Sequence, residues 1–410
     1  MRLGKWVAVG LVLGAGTVTA ADPPKDGFPK FKTQEIATDL TIGYAVLIAD
    51  LNADKKPDIV VVDKHRVVWY ENPTWKMRTI LQGKTKPDNV CVAALDIDDG
   101  GDLELVLGAG WGAGTKVPGT LQWLKRGKSL DDEWTLHSIP CEEPTIHRVR
   151  TADLDGDGKP EIVVAPLHGR ECTAKGNWTD GRPVRILSYK VPAEPTKSEA
   201  WKPDVIAEGL HVVHNLWTVP EYPGLISTAS YEGISMVVKK QGQFTTGLFH
   251  PANQENPKGS RGSSEITRAE IPRLGGVVAT IEPWHGNQVV VYYRTGMPRA
   301  TVRRVIDSDL RWGHAIAFGD LAGDGNPYLV AGVRDDPNPK AGDKFTDRRG
   351  VRLYRCTDGQ GEKWDRHILE AGGVAVEDLA VGDLNGDGRP DIVAVGRQTG
   401  NCRIYWNQGK

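Results

Sequence analysis

From residue 31 onward the chain alternates short, β-branched apolar stretches with turns rich in Gly, Asp and Pro. Seven segments share one character, often carrying an aromatic residue and ending in Ile or a similar side chain. They are FKTQEIA (31–37), TWKMRTI (74–80), EWTLHSI (133–139), AWKPDVI (200–206), QFTTGLF (243–249), ATVRRVI (300–306) and KWDRHIL (363–369). After each come a loop, an apolar strand, a turn, a second apolar strand and usually a third. Residues 147–190 show the pattern: HRVRTAD, a DGDG turn, EIVVAPL, then VRILSYK. Such spacing predicts antiparallel β-sheet. Seven four-stranded units predict an all-β, seven-bladed β-propeller, the radial solution to exposed sheet edges. The segment at 31–37 precedes the first complete set of three, and the chain ends on a third strand, NCRIYWNQ (401–408). The N-terminal strand is therefore expected to complete the last blade and close the ring. A sandwich or an elongated solenoid would explain neither the count of seven nor the offset termini.

Five turns within this rhythm are acidic: DLNADKKPDIVV from Asp50, DIDDGGDLELV from Asp96, DLDGDGKPEIVV from Asp153, DLAGDGNPYLV from Asp320 and DLNGDGRPDIVA from Asp383. The units opening at Ala200 and Gln243 keep the strands but lack the acidic turn. Asp153, Asp155, Asp157 and Glu161 stand at positions 1, 3, 5 and 9 of one turn, and Asp383, Asn385, Asp387 and Asp391 repeat them in another. Closely spaced hard oxygen ligands on a flexible loop suit Ca²⁺. Structural Ca²⁺ is expected at these two turns, in blades 3 and 7. Blade 1 has lost its glycines, and blade 6 places Ala322 and Tyr328 at ligand positions. The competing reading is a metal-free Asx turn.

In a hairpin the start of one strand and the end of the next lie together, away from the turn. Six residues before each acidic turn, or its aligned equivalent, stand Tyr44, Val90, His147, His214, Glu265, His314 and Glu377. At the matching strand ends stand His65, Trp111, His168, Glu232, His285, Asp335 and Gln398. Arg148, Arg150, Tyr231, Trp284, Arg334 and Arg397 lie beside these positions. The propeller should gather them into two polar rings at one mouth of its channel, remote from the acidic turns. Convergence of His, Glu, Arg and Trp is the expected signature of a ligand or catalytic site. A lone His at a strand end is usually only a solvated residue; six of the ten His at two matching registers are harder to dismiss. Imidazole moves protons near neutral pH. Two or three His with a Glu could also hold Zn²⁺ or Mg²⁺, and Trp111, Trp217 and Trp284 could stack on a sugar. The inserts at 108–120, 168–183, 253–265 and 335–350 fall on the same face and could wall a pocket.

Composition narrows the partners. The formal net charge of −2 gives no reason to expect nucleic acid or an anionic membrane surface. Residues 1–20, MRLGKWVAVGLVLGAGTVTA, have the basic start, apolar middle and small-residue end of a secretory signal. A secreted or periplasmic protein is expected, with a linker at 21–30 and the propeller at 31–410. Five cysteines are compatible with a Cys141–Cys172 bridge or with buried thiols. The sequence carries no nucleophile-elbow motif and no Gly-rich phosphate loop.

The acidic turns resemble FG-GAP/VCBS repeats. The stretches PTIHRVRTADLDGDGKPEIVVAPLHGR, HVVHNLW, ATIEPWHGNQVVVYY, RWGHAIAFGDLAGDG and GVAVEDLAVGDLNGDGRPDIVAVGR resemble the propeller domain of the aldos-2-ulose (1,5-anhydrofructose) dehydratases. That resemblance implies metal-assisted β-elimination of water from a keto-sugar. It casts His147 as general base, with His214, His314, Glu265 and Glu377 as metal ligands or acid–base partners. Arg148, Arg150, His168, Trp217, Trp284, His285, Arg334, Asp335 and Tyr44 would bind the substrate. The family's fungal enzyme resembles a propeller joined to a cupin-like domain, and residues 31–410 show only the propeller pattern. Two other functions fit the same fold: a polysaccharide lyase of the ulvan-lyase type, and a non-catalytic FG-GAP propeller that binds carbohydrate or protein.

Overall fold

A computed structural model describes residues 27–295, 300–334 and 349–410. Within them, 28 strands form seven four-stranded antiparallel sheets, with two single-turn 3₁₀ helices and no α-helix. The inner strands are Gly43–Ala49, Asn89–Leu95, Ile146–Ala152, Asn215–Thr218, Ile266–Ile271, Gly313–Gly319 and Val376–Gly382, in blades 1 to 7. The predicted propeller is the observed fold. In six blades the strands run outward in chain order. In the seventh, Phe31–Ala37 is the outermost strand and pairs with Cys402–Asn407, from Phe31 opposite Asn407 to Glu35 opposite Arg403.

The seven segments with the shared character are thus the outermost strands, one per blade, each belonging to the blade before it. Their mixed composition follows from position. An outermost strand such as Gln243–His250 leaves most of its residues exposed or half-exposed. The second strands, such as Asp58–Asp63, Glu161–Pro166 and Tyr328–Val333, are buried throughout because neighbouring blades cover both faces. Strands covered on two sides read as continuous apolar runs rather than alternations.

Five inner strands carry a β-bulge at one equivalent place. The extra residue is Tyr44, Val90, His147, His314 or Glu377, in blades 1, 2, 3, 6 and 7. A bulge re-aims one side chain while keeping its neighbours in register. Here it turns that residue toward the channel without displacing the apolar residues that pack between blades.

The acidic turns have a definite mechanical role. The carboxylate at position 9 is buried and reaches back to the N–H of position 2: Leu51 donates to Asp58 at 3.0 Å, Ile97 to Glu104 at 2.8 Å, Leu154 to Glu161 at 2.8 Å and Leu384 to Asp391 at 3.1 Å. The Asp at position 1 accepts from the loop, as from Gly158 to Asp153 at 3.0 Å and from Gly388 to Asp383 at 2.7 Å. Those glycines have φ of 84° and 81°, where a side chain is disfavoured. In blade 1, Lys55 takes the corresponding place with φ of 67°. The Asx-turn geometry is therefore present in its own right.

All five cysteines are free thiols, so the Cys141–Cys172 bridge does not form. Cys172 is buried where its Sγ faces Arg182 O at 3.3 Å. Residues 1–26, with the signal segment and most of the linker, lie outside the described residues. No described helix is long and apolar enough to cross a membrane.

Asp391 also accepts from Asn407 N at 2.8 Å, so it ties the acidic turn to the strand that closes the ring. Asp391→Ala would leave two buried N–H groups without acceptors. The expected loss is about 2–4 kcal/mol, read as a lower urea midpoint at neutral pH.

Candidate functional site

The bulged residues and their neighbours converge on a cavity of about 420 Å³ at the channel mouth opposite the acidic turns. Tyr44, Val90, His147, His214, His314 and Glu377 all line it, as the register argument predicts. Arg148, His168, Trp284, His285, Arg334 and Arg397 complete the polar lining, and Trp111, Trp178 and Trp312 wall it.

Four imidazoles pack together at the centre, His214 edge to face with His285 and His314 and the other two pairs tilted. Ring centroids are 4.6 Å apart for His147–His214, 4.6 Å for His214–His285, 5.0 Å for His214–His314 and 4.8 Å for His285–His314. Their partners assign the protons. His147 Nδ1 donates to the carbonyl of His214 at 2.9 Å, and His314 Nδ1 to that of Glu377 at 2.5 Å. His214 Nδ1 lies 2.7 Å from Glu265 Oε1, close but too bent for a well-formed hydrogen bond. These three rings thus turn Nδ1–H outward and keep the Nε2 lone pair inside; at His147, Arg148 Nη1 also lies 3.2 Å from Nδ1 and 3.4 Å from Nε2, so the lone pair there faces a guanidinium N–H. His285 is the reverse. Arg334 Nη2 donates to its Nδ1 at 3.2 Å, so its proton sits on Nε2, 2.8 Å from His214 Nε2.

Charge around the imidazoles is nearly balanced. Arg334 Nη1 donates to Glu377 Oε2 at 2.5 Å, and Arg397 Nη1 to Glu377 Oε1 at 2.7 Å. Arg148 Nη2 donates to Glu265 Oε1 at 3.3 Å, and the Asn215 amide holds Oε2. Burial, reinforced by the nearby guanidiniums, holds His147, His214, His285 and His314 well below the ordinary imidazole range. They are neutral at physiological pH, which is the state that accepts protons or binds metal. Burial also pushes the Glu265 carboxyl up, opposed by Arg148 and Asn215.

The ring is less complete than the two registers imply. Glu265 stands behind His214 rather than in the cavity wall. Arg150 and Trp217 were expected at this mouth but line a separate cavity toward the acidic turns. They lie two or three positions deeper along their inner strands than the residues at the mouth, which carries them past the level of Arg148. His65 and Gln398 are exposed, and Glu232 is turned aside by a hydrogen bond from His211 Nδ1 at 2.9 Å. Asp335 lies outside the described residues, as does most of the insert at 335–350. Sequence reasoning missed Trp178 and Trp312. Trp312 precedes His314 by two, and that spacing could have found it. Trp178 sits in the 168–183 insert, stacked on His168 at 4.0 Å between centroids, where no register applies.

Ligand nitrogens of His214, His285 and His314 lie within 4.8 Å of one another. The set expected from sequence was His147, His214, Glu265 and His314; the geometry instead groups His285 with His214 and His314 and leaves Glu265 at the back of His214. Metal-bound histidines commonly have a carboxylate or carbonyl behind the free nitrogen. His214 and His314 fit that description as they stand, whereas His285 would have to give up the Nε2 proton that Arg334 enforces. Among the acidic turns, Asp153, Asp155 and Glu161 place oxygens within 4.8 Å of each other, as do Asp96, Asp98 and Glu104. Lys190 Nζ lies among the blade 3 carboxylates, 3.6 Å from both Asp157 and Glu161. In blade 7, Asn385 Nδ2 donates to Asp387 Oδ2 at 3.2 Å, and Asp391 is committed to backbone N–H groups.

The fold is a seven-bladed β-propeller, and its acidic turns are similar to FG-GAP repeats. The description "FG-GAP-like repeat" matches residues 50–107 and 345–394, and "Aldos-2-ulose dehydratase, beta-propeller domain" matches residues 118–295. Aldos-2-ulose dehydratase of Phanerodontia chrysosporium is 26% identical over 274 residues, covering 60% of this chain and 29% of that protein. The chain is thus similar to the propeller domain of a dehydratase and spans less than a third of that relative. Two solved structures share the architecture at low identity. A chain of the Mitotic Checkpoint Complex has a TM-score of 0.55 at 10% identity, covering 100% of both chains. BBS1N in complex with ARL6DN has a TM-score of 0.54 at 12% identity, covering 92% of this chain and 96% of that one. Both establish the fold alone.

His168 permits a test of the site's dryness that does not depend on activity. Burial lowers its pKa to about 3, and its Nε2 has no hydrogen-bond partner. Unfolded, it takes up a proton near pH 6.5. Between about 3 and 6.5 the unfolded state therefore binds more protons, and stability falls as pH falls, by about 1.4 kcal/mol per unit. His168→Phe should keep the stack on Trp178 and lose this term. Between pH 6.5 and 5 the variant should lose about 2 kcal/mol less than wild type in urea unfolding.

Proposed function

We propose that the mouth cavity removes water from a keto-sugar by β-elimination. The observation that carries this reading is the set of neutral imidazoles lining a tryptophan-walled cavity together with three guanidiniums, those of Arg148, Arg334 and Arg397. The cavity falls in the range of roughly 300–1,000 Å³ typical of small-ligand sites. Its enclosure by Trp111, Trp178, Trp284 and Trp312 suits a single sugar better than a polymer.

His147 is the proposed base. Its Nδ1 is anchored on the His214 carbonyl, and the ring lines the cavity outside the three-histidine group. Nε2 takes the proton from the carbon next to the carbonyl. The electron pair left on that carbon delocalises as an enolate, then forms the C=C bond as the β C–O bond breaks. The imidazolium formed on His147 returns its proton to the departing oxygen, which leaves as water, and the product is an enone. Arg334 and Arg397, fixed by Glu377, would hold the enolate oxygen. Trp284, stacked on His285 at 4.2 Å between centroids, would cover the face of the sugar. Held by His214, His285 and His314, a zinc ion would add Lewis-acid polarisation of the carbonyl. Structural Ca²⁺ in the turns of blades 3 and 7, and export directed by residues 1–20, complete the proposal.

The test is an ultraviolet assay for enone formation from 1,5-anhydrofructose and 3-keto-glycosides, with metal analysis of the same preparation. Wild type should generate the new absorbance, and His147→Ala should lower kcat/KM by at least about 10²-fold. Equal turnover by both proteins would remove His147 from the role of base. No absorbance from wild type with any keto-sugar, but measurable binding, would establish the non-catalytic propeller instead.

A further inference from the structure

The channel has a second chamber. Beyond Arg148 and Val90, which line both spaces, a cavity of about 590 Å³ opens toward the acidic-turn face. Its walls are mostly apolar, with Leu47, Ala49, Ala94 and Leu379 among them. Two side chains stand out against that background. Trp217 is half-buried, with one part packed on the apolar cluster between blades 4 and 5 and another part at the cavity. Arg150 reaches into the same space from the inner strand of blade 3.

Arg150 is unusually placed for a guanidinium. It donates to the carbonyl of Val149 at 3.0 Å and to Asn215 Oδ1 at 3.4 Å, both neutral acceptors. Among the described residues no carboxylate lies within ion-pair distance of it. The acid that shares the chamber, Asp378, attracts it through space but does not touch it, because its oxygens are taken by the backbone: Oδ2 accepts from Val46 N at 3.0 Å and Oδ1 from Leu379 N at 3.0 Å. The contrast with the mouth cavity is direct, since Arg148, Arg334 and Arg397 each have a glutamate. A partly buried cation with only neutral acceptors is stabilised by any anion that can reach it. The planar fork favours a carboxylate, and the apolar walls with one indole favour a ligand whose remainder is apolar.

We infer that this chamber is a second ligand site, distinct from the mouth cavity, which binds a small monocarboxylate with an aromatic or branched apolar body. Arg150 pairs with the carboxylate and Trp217 covers the apolar part. The inference does not rest on the dehydratase reading, because none of its distinguishing residues is used there.

Calorimetric titration of the full chain tests it with phenylacetate, its uncharged isostere phenylacetamide, glucuronate and inorganic phosphate. Phenylacetate should bind one per chain, at least about tenfold tighter than phenylacetamide, since a charge-assisted pair separates them. Arg150→Met should abolish that discrimination and Arg150→Lys should retain part of it. Trp217→Ala should weaken phenylacetate, and His147→Ala should leave its binding intact. Equal affinity for acid and amide, unchanged binding by Arg150→Met, or loss of binding in His147→Ala would overturn the assignment. So would a preference for glucuronate or phosphate over phenylacetate, or no binding by any of the four.

Discussion

Ring closure is the constraint on which everything else depends. In this chain the last of the seven sheets is finished by the first strand of the propeller, and the ladder between Phe31–Ala37 and Cys402–Asn407 joins the two ends of the ring. Flanking contacts extend it, with Lys30 N donating to Gly409 O and Gln408 N to Lys30 O, both at 2.8 Å. The side chains add Trp406 Nε1 on Gln34 Oε1 at 2.8 Å and Arg403 Nε on Glu35 Oε2 at 2.7 Å. Without this seam the inner strands would have no common channel. His147 and Glu377, remote in sequence, would then have no reason to meet.

Given the channel, burial decides the chemistry. Imidazoles at a solvated strand end would titrate near pH 6.5 and be partly charged near neutrality. Packed against one another and against Arg148 and Arg334, they are held neutral. The guanidiniums are tolerable because Glu265 and Glu377 pair with them, and each glutamate also contacts a histidine: Glu265 Oε1 lies 2.7 Å from His214 Nδ1, and the Glu377 carbonyl accepts from His314. Removing one member of such a network exposes the others to unpaired burial, so single substitutions here will not report isolated contributions.

Architecture was legible because it is periodic. Seven outermost strands, five acidic turns and one register point recur, and a repeated signal survives the loss of single copies, as in blades 4 and 5. The inner ring at the mouth was legible for the same reason, since the bulge falls at one place in five blades. Strand-end positions were less so. The loops after the second strands differ in length, and nothing in the sequence says whether a side chain such as Glu232 finds a local partner in His211. Depth along the channel was the other failure. Arg150 and Trp217 share a face with the residues at the mouth, but Arg148 stands between them, and a one-dimensional register carries no such partition. Trp178 comes from an insert without periodicity, so only the insert's position, and not the residue, could be anticipated.

The acidic turns show why such a repeat can decay without loss of the fold. In blades 1, 2, 3 and 7 the buried carboxylate at position 9 is already bonded to the N–H of position 2, a contact that needs no ion. A turn built this way holds its hairpin through protein groups, and a cation would add stiffness to something already formed. Blade 6 takes the next step: Tyr328 replaces the acid, its hydroxyl donates to Gly27 O at 2.6 Å, and Leu321 N turns to Gly319 O at 2.9 Å. Asp320 still accepts from Gly325 N at 2.8 Å, so the Asx turn persists after the position-9 ligand has gone. Backbone capture by the first aspartate is therefore the element that the hairpin requires. The remaining oxygens are free to drift toward a cation, toward a lysine such as Lys190, or away altogether.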